Sequence, residues 1–302
     1  MSTAGAYKVF AGLCIASVAV WWKPLLDTFT LATANGAYTH ILLIIPVSVI
    51  LIVLKYRNER WEPSPGMRGG SVLLLSATLI GLFGLKARAD ILTGDVRLAL
   101  EMLGLTTWWV GSFLFCFGAR AFRSCAFPLL FLLWLVPMPE IVVNRTVEFL
   151  QQSTASLTRG MFTLVGVPVS QSGTSVTIPR LTVEVAQECS SIRSSLMLIV
   201  IAMVTSYLLL RSFWGRTTVF LVAIPLAIAK NALRVFTLAA LGAYVDPAIL
   251  NSPLHHQGGV LFLAIALLVL FGMIRLVGRL ERRSRNQGGG DKFPRLSASV
   301  TQ

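Results

Sequence analysis

Charge is scarce in this sequence. Asp, Glu, Lys and Arg make up 13% of its 302 residues, about half of what a soluble domain carries, which argues against a water-soluble globular enzyme. Acids are the scarcer sign, 13 against 26 basic residues. Histidine occurs three times. The four cysteines (Cys14, Cys116, Cys125, Cys189) form no C-x-x-C pair and no disulfide-framework spacing. With so few soft ligands a structural zinc site is not expected, and no metal or organic cofactor is suggested. No internal repeat stands out.

Apolar residues are abundant instead: 55% of the chain is hydrophobic and the mean hydropathy is +0.74. Apolar runs fall near 9–26, 38–54, 70–86, 100–119, 124–139, 191–210, 217–240 and 258–278. This is the pattern of an all-α polytopic membrane protein with about eight transmembrane helices. The first run is followed by seven more, so a membrane span outweighs a cleaved signal peptide. The net charge of +13 sits in short loops and in the tail rather than along one stripe, so nucleic acid is not the expected partner.

Basic residues mark alternate loops: Lys55, Arg57, Arg60 and Arg68, then Arg120 and Arg123, then Arg211 and Arg216, then Arg279, Arg282, Arg283 and Arg285. The positive-inside rule makes that side cytoplasmic and puts both termini there, in the inner membrane. On the opposite side, Asp90 and Asp95 partly offset Lys86, Arg88 and Arg97, and 241–257 has no Lys or Arg. Residues 1–285 read as one integral membrane domain with an extracytoplasmic insert over 140–190. Residues 286–302, rich in glycine and serine, read as a flexible cytoplasmic tail.

The insert has two parts. Val147, Leu150, Leu157, Met161 and Leu164, with Thr154 in the gap, recur at helical spacing, while Arg145, Glu148, Gln152 and Arg159 fall on another face. This predicts a small amphipathic helix on the membrane surface or against the bundle; an additional, weakly apolar crossing is the alternative. Val176 and Ile178, then Leu181, Val183 and Val185, alternate with polar residues around Pro179 and predict a β-hairpin or edge strands on the outer surface.

Three stretches then converge on the outer side. Cys189 is the one cysteine expected there; Cys14, Cys116 and Cys125 fall within or at the ends of spans and read as structural thiols. It precedes a helix whose free N–H groups stabilise a thiolate, with Arg193 able to add positive charge and Glu188 opposing it. Asn231 and Arg234 share one helical face in the outer half of the seventh span, where a cation is costly and marks a site or a paired interior group. Arg234 can donate to a developing oxyanion, or extend to the headgroups instead. Lys230 is adjacent and is expected to point elsewhere. His255 and His256 close the outer loop before the last span, while His40, at the start of the second span, reads as interfacial. A thiol, a cation and an imidazole on one side suit cysteine acyl transfer.

With those residues in view, the chain resembles the exosortase and archaeosortase family of multi-spanning membrane cysteine transpeptidases. The family's A-C-S-G-I-R signature corresponds to Glu188-Cys189-Ser190-Ser191-Ile192-Arg193, its N-x-x-R motif to Asn231 and Arg234, and its histidine ahead of a glycine and a hydrophobic helix to His255 with Gly259. Ser191 stands where the family usually has glycine, and Glu188 where a small residue is common. The resemblance implies cleavage of secreted proteins bearing a C-terminal sorting signal: a Pro-Glu-Pro-like motif, a transmembrane helix and a basic end. Cys189 would form a thioester and Arg234 would stabilise the oxyanion. His255 would move protons, with His256 as its substitute or steering neighbour, and Asn231 and Arg193 in support. Implied partners are such substrates, membrane lipids and, for some members, exopolysaccharide-export machinery. The alternatives are a multi-spanning transporter, which would scatter ionisable groups through several spans, and a membrane acyltransferase of exopolysaccharide assembly, which would leave Cys189 unexplained. A purely structural membrane partner is the remaining one.

Overall fold

The computed structural model describes residues 3–59, 64, 66–86, 92–185, 192–246 and 259–290. The chain divides into two compact units, residues 1–148 and 149–302. Among the described residues six helices are long and apolar enough to cross a membrane, and up to eight crossings result if each of two bent helix pairs is one span. The architecture is that of an all-α polytopic membrane protein with one small sheet.

The first unit opens with a bent pair, α1 (Thr3–Val20) and α2 (Trp22–Ala34), where the sequence predicts a single span over 9–26. The two meet at 72°. Pro24 has no N–H to give the carbonyl of Val20, which opens the helical ladder at the junction. A 3₁₀ turn (Gly36–Tyr38) leads into α3 (Ile41–Asn58).

Helices α4 (Met67–Lys86) and α5 (Gly94–Ser124) pack at backbone contact. A Cβ on Gly70 would lie 2.4 Å from the Phe115 Cα, and one on Gly104 would lie 3.1 Å from the backbone of Ala77 and of Gly81. Small residues let membrane helices approach this closely without a hydrophobic driving force between them. Helix α5 overruns the expected 100–119 at both ends and kinks at Gly118, whose φ is 79°. A Cβ at Gly118 would fall 1.8 Å from the Ser64 carbonyl oxygen.

The span expected over 124–139 is short. It consists of α6 (Ala126–Phe131) and a 3₁₀ turn (Leu132–Leu135), and the Pro137-Met138-Pro139 sequence ends it. The chain then bends by 96° into α7 (Glu140–Leu164). Tyr38 holds this corner by donating its hydroxyl to the Met138 carbonyl at 2.8 Å.

Helix α7 is the expected amphipathic helix, but its buried stripe is rotated. Val143, Val147, Leu150, Thr154, Thr158 and Phe162 are buried, whereas Leu157 and Leu164 are exposed. Thr158 is accommodated because its hydroxyl donates to the Ala232 carbonyl at 3.4 Å.

The second unit takes up α7 from Phe149. It continues through an antiparallel three-stranded sheet in sequence order, β1 (Ser170–Ser172), β2 (Ser175–Ile178) and β3 (Leu181–Glu184). Pro179 and Arg180 form the β2–β3 turn, with Ile178 paired to Leu181.

Three long helices follow: α8 (Ile192–Leu209), α9 (Phe213–Tyr244) and α10 (Gly259–Gly290). They share a core of Leu198, Ala202, Val219, Ala223, Ala227, Leu270 and Ile274. The last helix runs to Gly290, into the segment the sequence assigns to a flexible tail; residues 291–302 lie outside the described ones.

Helix α9 has 32 residues and so measures roughly 48 Å, against about 30 Å of bilayer hydrocarbon. Its C-terminal part is covered by the sheet: Val235 and Ala239 pack with Val176, Ile178, Val185 and Phe162. The Arg180 guanidinium also lies over the Tyr244 ring at 5.6 Å.

Candidate active site

Polar side chains gather where α9 leaves the apolar core of the second unit. Lys230, Asn231 and Arg234 are exposed by only 6%, 0% and 7%. Burying two cations on one helix carries a desolvation cost unless partners are at hand, and the partners come from neighbouring helix ends. Asn231 Nδ2 donates to Ser195 Oγ at 3.4 Å, and Lys230 Nζ donates to Ser194 Oγ. Both serines lie in the first turn of α8.

On the other side, the Arg234 guanidinium lies against the first residue of α10. A Cβ on Gly259 would meet Nη1 at 3.7 Å and Cζ at 4.0 Å. One face of α9 therefore joins the N-termini of α8 and α10, where the positive end of each helix dipole lies. Among the described residues the arrangement is buried and carries two cationic side chains.

Of the residues singled out in the sequence, the structure brings Asn231 and Arg234 into this cluster. Arg234 is buried rather than extended toward headgroups. Arg193, the second residue of α8, is exposed. Glu188, Cys189, His255 and His256 lie outside the described residues. The stretches carrying them, 186–191 and 247–258, run directly into Ile192 and Gly259, the first residues of α8 and α10.

One sequence expectation is corrected here. Lys230 does not point away: it reaches Ser194 at the head of α8. Its signal was available, since a lysine inside an apolar run one turn before Arg234 is itself a mark of a site. His40, near the start of its span, is 4% exposed, and its ring meets Trp134 edge-on at 5.9 Å.

Cys14, Cys116 and Cys125 are free thiols, the last two buried. They belong to the first unit, and Cys116 and Cys125 sit in an apolar cluster with Phe113, Phe117 and Leu129. No group of three His, Cys, Asp or Glu with metal-binding geometry occurs among the described residues. A groove of about 640 Å³ in the first unit is lined by Asp95, Glu140, Asn144 and Arg145. There Asp95 Oδ2 accepts from the Glu140 N–H at 2.7 Å, a contact that caps the start of α7.

Fold and cluster together define a multi-pass helical membrane protein with a buried cationic site at the junction of three helix segments. The family model for transmembrane exosortases (EpsH) matches residues 13–272, and the chain belongs to that family. Membership carries exosortase-type processing activity at the membrane, in general terms, to this chain. No curated protein and no solved structure matches it.

Proposed function

We propose that this protein is a cysteine transpeptidase of the inner membrane, with both termini cytoplasmic and its site facing outward. It cleaves the C-terminal sorting signal of secreted proteins and passes the product to an acceptor. The observation that carries the reading is the junction on α9: Asn231 tied to the head of α8, and Arg234 seated at the head of α10. Cys189 lies three residues before α8 and His255 four before α10.

In the proposed reaction His255 takes the Cys189 thiol proton and Sγ attacks the scissile carbonyl carbon. The oxygen becomes an oxyanion, to which the Arg234 guanidinium donates two hydrogen bonds. Collapse of the intermediate breaks the C–N bond, His255 returns the proton to the leaving amine, and a thioester remains on Cys189. An acceptor amine, hydroxyl or water then loses its proton to His255, attacks the thioester and releases the thiol. Asn231 holds the α8–α9 contact. His256 stands in for His255, Arg193 adds charge beside the thiol and Glu188 opposes it. A membrane-embedded enzyme suits a substrate whose signal includes a transmembrane helix, because both partners then meet by diffusion in the bilayer.

The test is processing of a secreted reporter with such a signal by Cys189→Ala, Cys189→Ser, and a Cys14, Cys116 and Cys125 triple serine variant. Loss in the first, near-loss in the second and retention in the third are expected. Processing that survives Cys189→Ala would overturn the reading and favour a transporter or acyltransferase role.

A further inference from the structure

Val185, the residue after β3, is held from three directions. Its side chain is fully buried, in a cluster shared with Phe162 of α7 and with Val235 and Ala239 of α9. Its N–H donates to the Thr174 carbonyl at 3.0 Å, continuing the strand ladder. Its carbonyl accepts from Gln151 Nε2 at 2.9 Å. The first two contacts are those of any strand end packed on a helix. The third is different, because a side-chain amide on α7, thirty-four positions earlier, supplies the bond. Gln151 stands between Leu150 and Thr154, both buried on the α7 stripe, so its amide extends from a fixed base.

We propose that Gln151 is a positioning residue for the reaction: by holding the Val185 carbonyl it sets the direction in which the chain leaves toward Cys189. The inference rests on the transpeptidase reading above, which makes Cys189 the nucleophile. Cys189 is four residues beyond Val185, and four residues of chain reach at most about 14 Å. Val235, in the same cluster as Val185, is the residue after Arg234. The path to the thiol therefore starts beside the turn of α9 that carries the guanidinium. Acyl transfer requires the sulfur within about 3–3.5 Å of the carbonyl carbon, and a misplacement of about 1 Å costs roughly a hundredfold. Without the amide, the peptide plane after Val185 is oriented by packing alone.

The experiment uses the full chain in membrane vesicles with a secreted reporter bearing a C-terminal sorting signal, and rates are taken per folded molecule. Gln151→Met keeps the length of the side chain and removes the donor. It is expected to lower kcat about tenfold or more while KM for the reporter stays within about twofold. Gln151→Glu, of the same size and without a donor at neutral pH, is expected to match it. Gln151→Lys restores an N–H donor and is expected to regain most of the rate. The control is Gln171, which ties β1, at the opposite edge of the sheet, to Ser156 Oγ of α7 at 3.3 Å. Gln171→Met is expected to leave kcat unchanged. A wild-type kcat in Gln151→Met and Gln151→Glu, with only the thermal midpoint lowered, would overturn the proposal, since that marks a purely structural contact. So would an equal loss of kcat in Gln171→Met, which would assign the effect to the sheet as a whole. Failure of the transpeptidase reading shows differently, as processing that survives Cys189→Ala whatever the Gln151 variants do.

Discussion

The Arg234 guanidinium lies against Gly259, close enough that a Cβ there would sit 3.7 Å from Nη1. That is ordinary contact, so Gly259→Ala is expected to retain activity, whereas Gly259→Leu pushes the guanidinium out of place and cuts processing at least tenfold. Equal activity of the two variants at equal membrane levels would show that Arg234 does not act where it is seen.

Asn231 is fully buried and donates to Ser195 across α8 and α9. Asn231→Ala strands a buried hydroxyl and is expected to cost about 1–3 kcal/mol, read as a lower thermal midpoint in detergent together with reduced processing. Ser195→Ala removes the smaller partner and is expected to cost less. A larger loss for Ser195→Ala would reverse the assigned roles.

Gly118 adopts φ 79°, and a Cβ there would fall 1.8 Å from the Ser64 carbonyl oxygen. Gly118→Ala combines a steric overlap with a positive-φ, extended backbone open essentially to glycine alone, itself a cost of roughly 1–3 kcal/mol, so the folded protein is expected to be lost from the membrane fraction. Gly272, with open space around it, is the control: Gly272→Ala is expected at wild-type level. Similar levels of both variants would contradict this account of the α5 kink.

Much of this was legible in the sequence, for identifiable reasons. Helix and strand periods gave α7 and the β2–β3 hairpin, because their apolar residues recur on one face; β1, Ser170–Ser172, has no apolar residue to mark it. Asn231 and Arg234 stood out because polar groups inside an apolar span need a reason to be there. The bend at Trp21 had a sequence signal in Pro24 that hydropathy alone passes over, whereas the kink at Gly118 was not legible, since hydropathy continues through it and only backbone geometry distinguishes it. The rotated stripe of α7 depends on Thr158 giving its hydroxyl to the Ala232 carbonyl, a tertiary contact that makes a polar residue tolerable inside. Lys230 was misjudged because its direction depends on Ser194, thirty-six positions earlier.

The orientation rests on charge in the loops and can be read directly. In a background lacking the native cysteines, Thr182→Cys on β3 and Ser64→Cys before α4 both occupy exposed positions. A membrane-impermeant thiol reagent is expected to label the first in intact cells and the second only after the inner membrane is opened. The reverse pattern would turn the site toward the cytoplasm and remove secreted proteins as substrates.

The most direct measurement is capture of the covalent intermediate. The protein is co-expressed with a secreted substrate, and Cys189 peptides are analysed by mass spectrometry in wild type, Arg234→Ala and His255→Ala. The account predicts a substrate acyl group on Cys189 in wild type and less of it in Arg234→Ala and in His255→Ala, because both side chains act before the thioester forms. Processed substrate with no acyl-Cys189 in any of the three would contradict thiol acyl transfer.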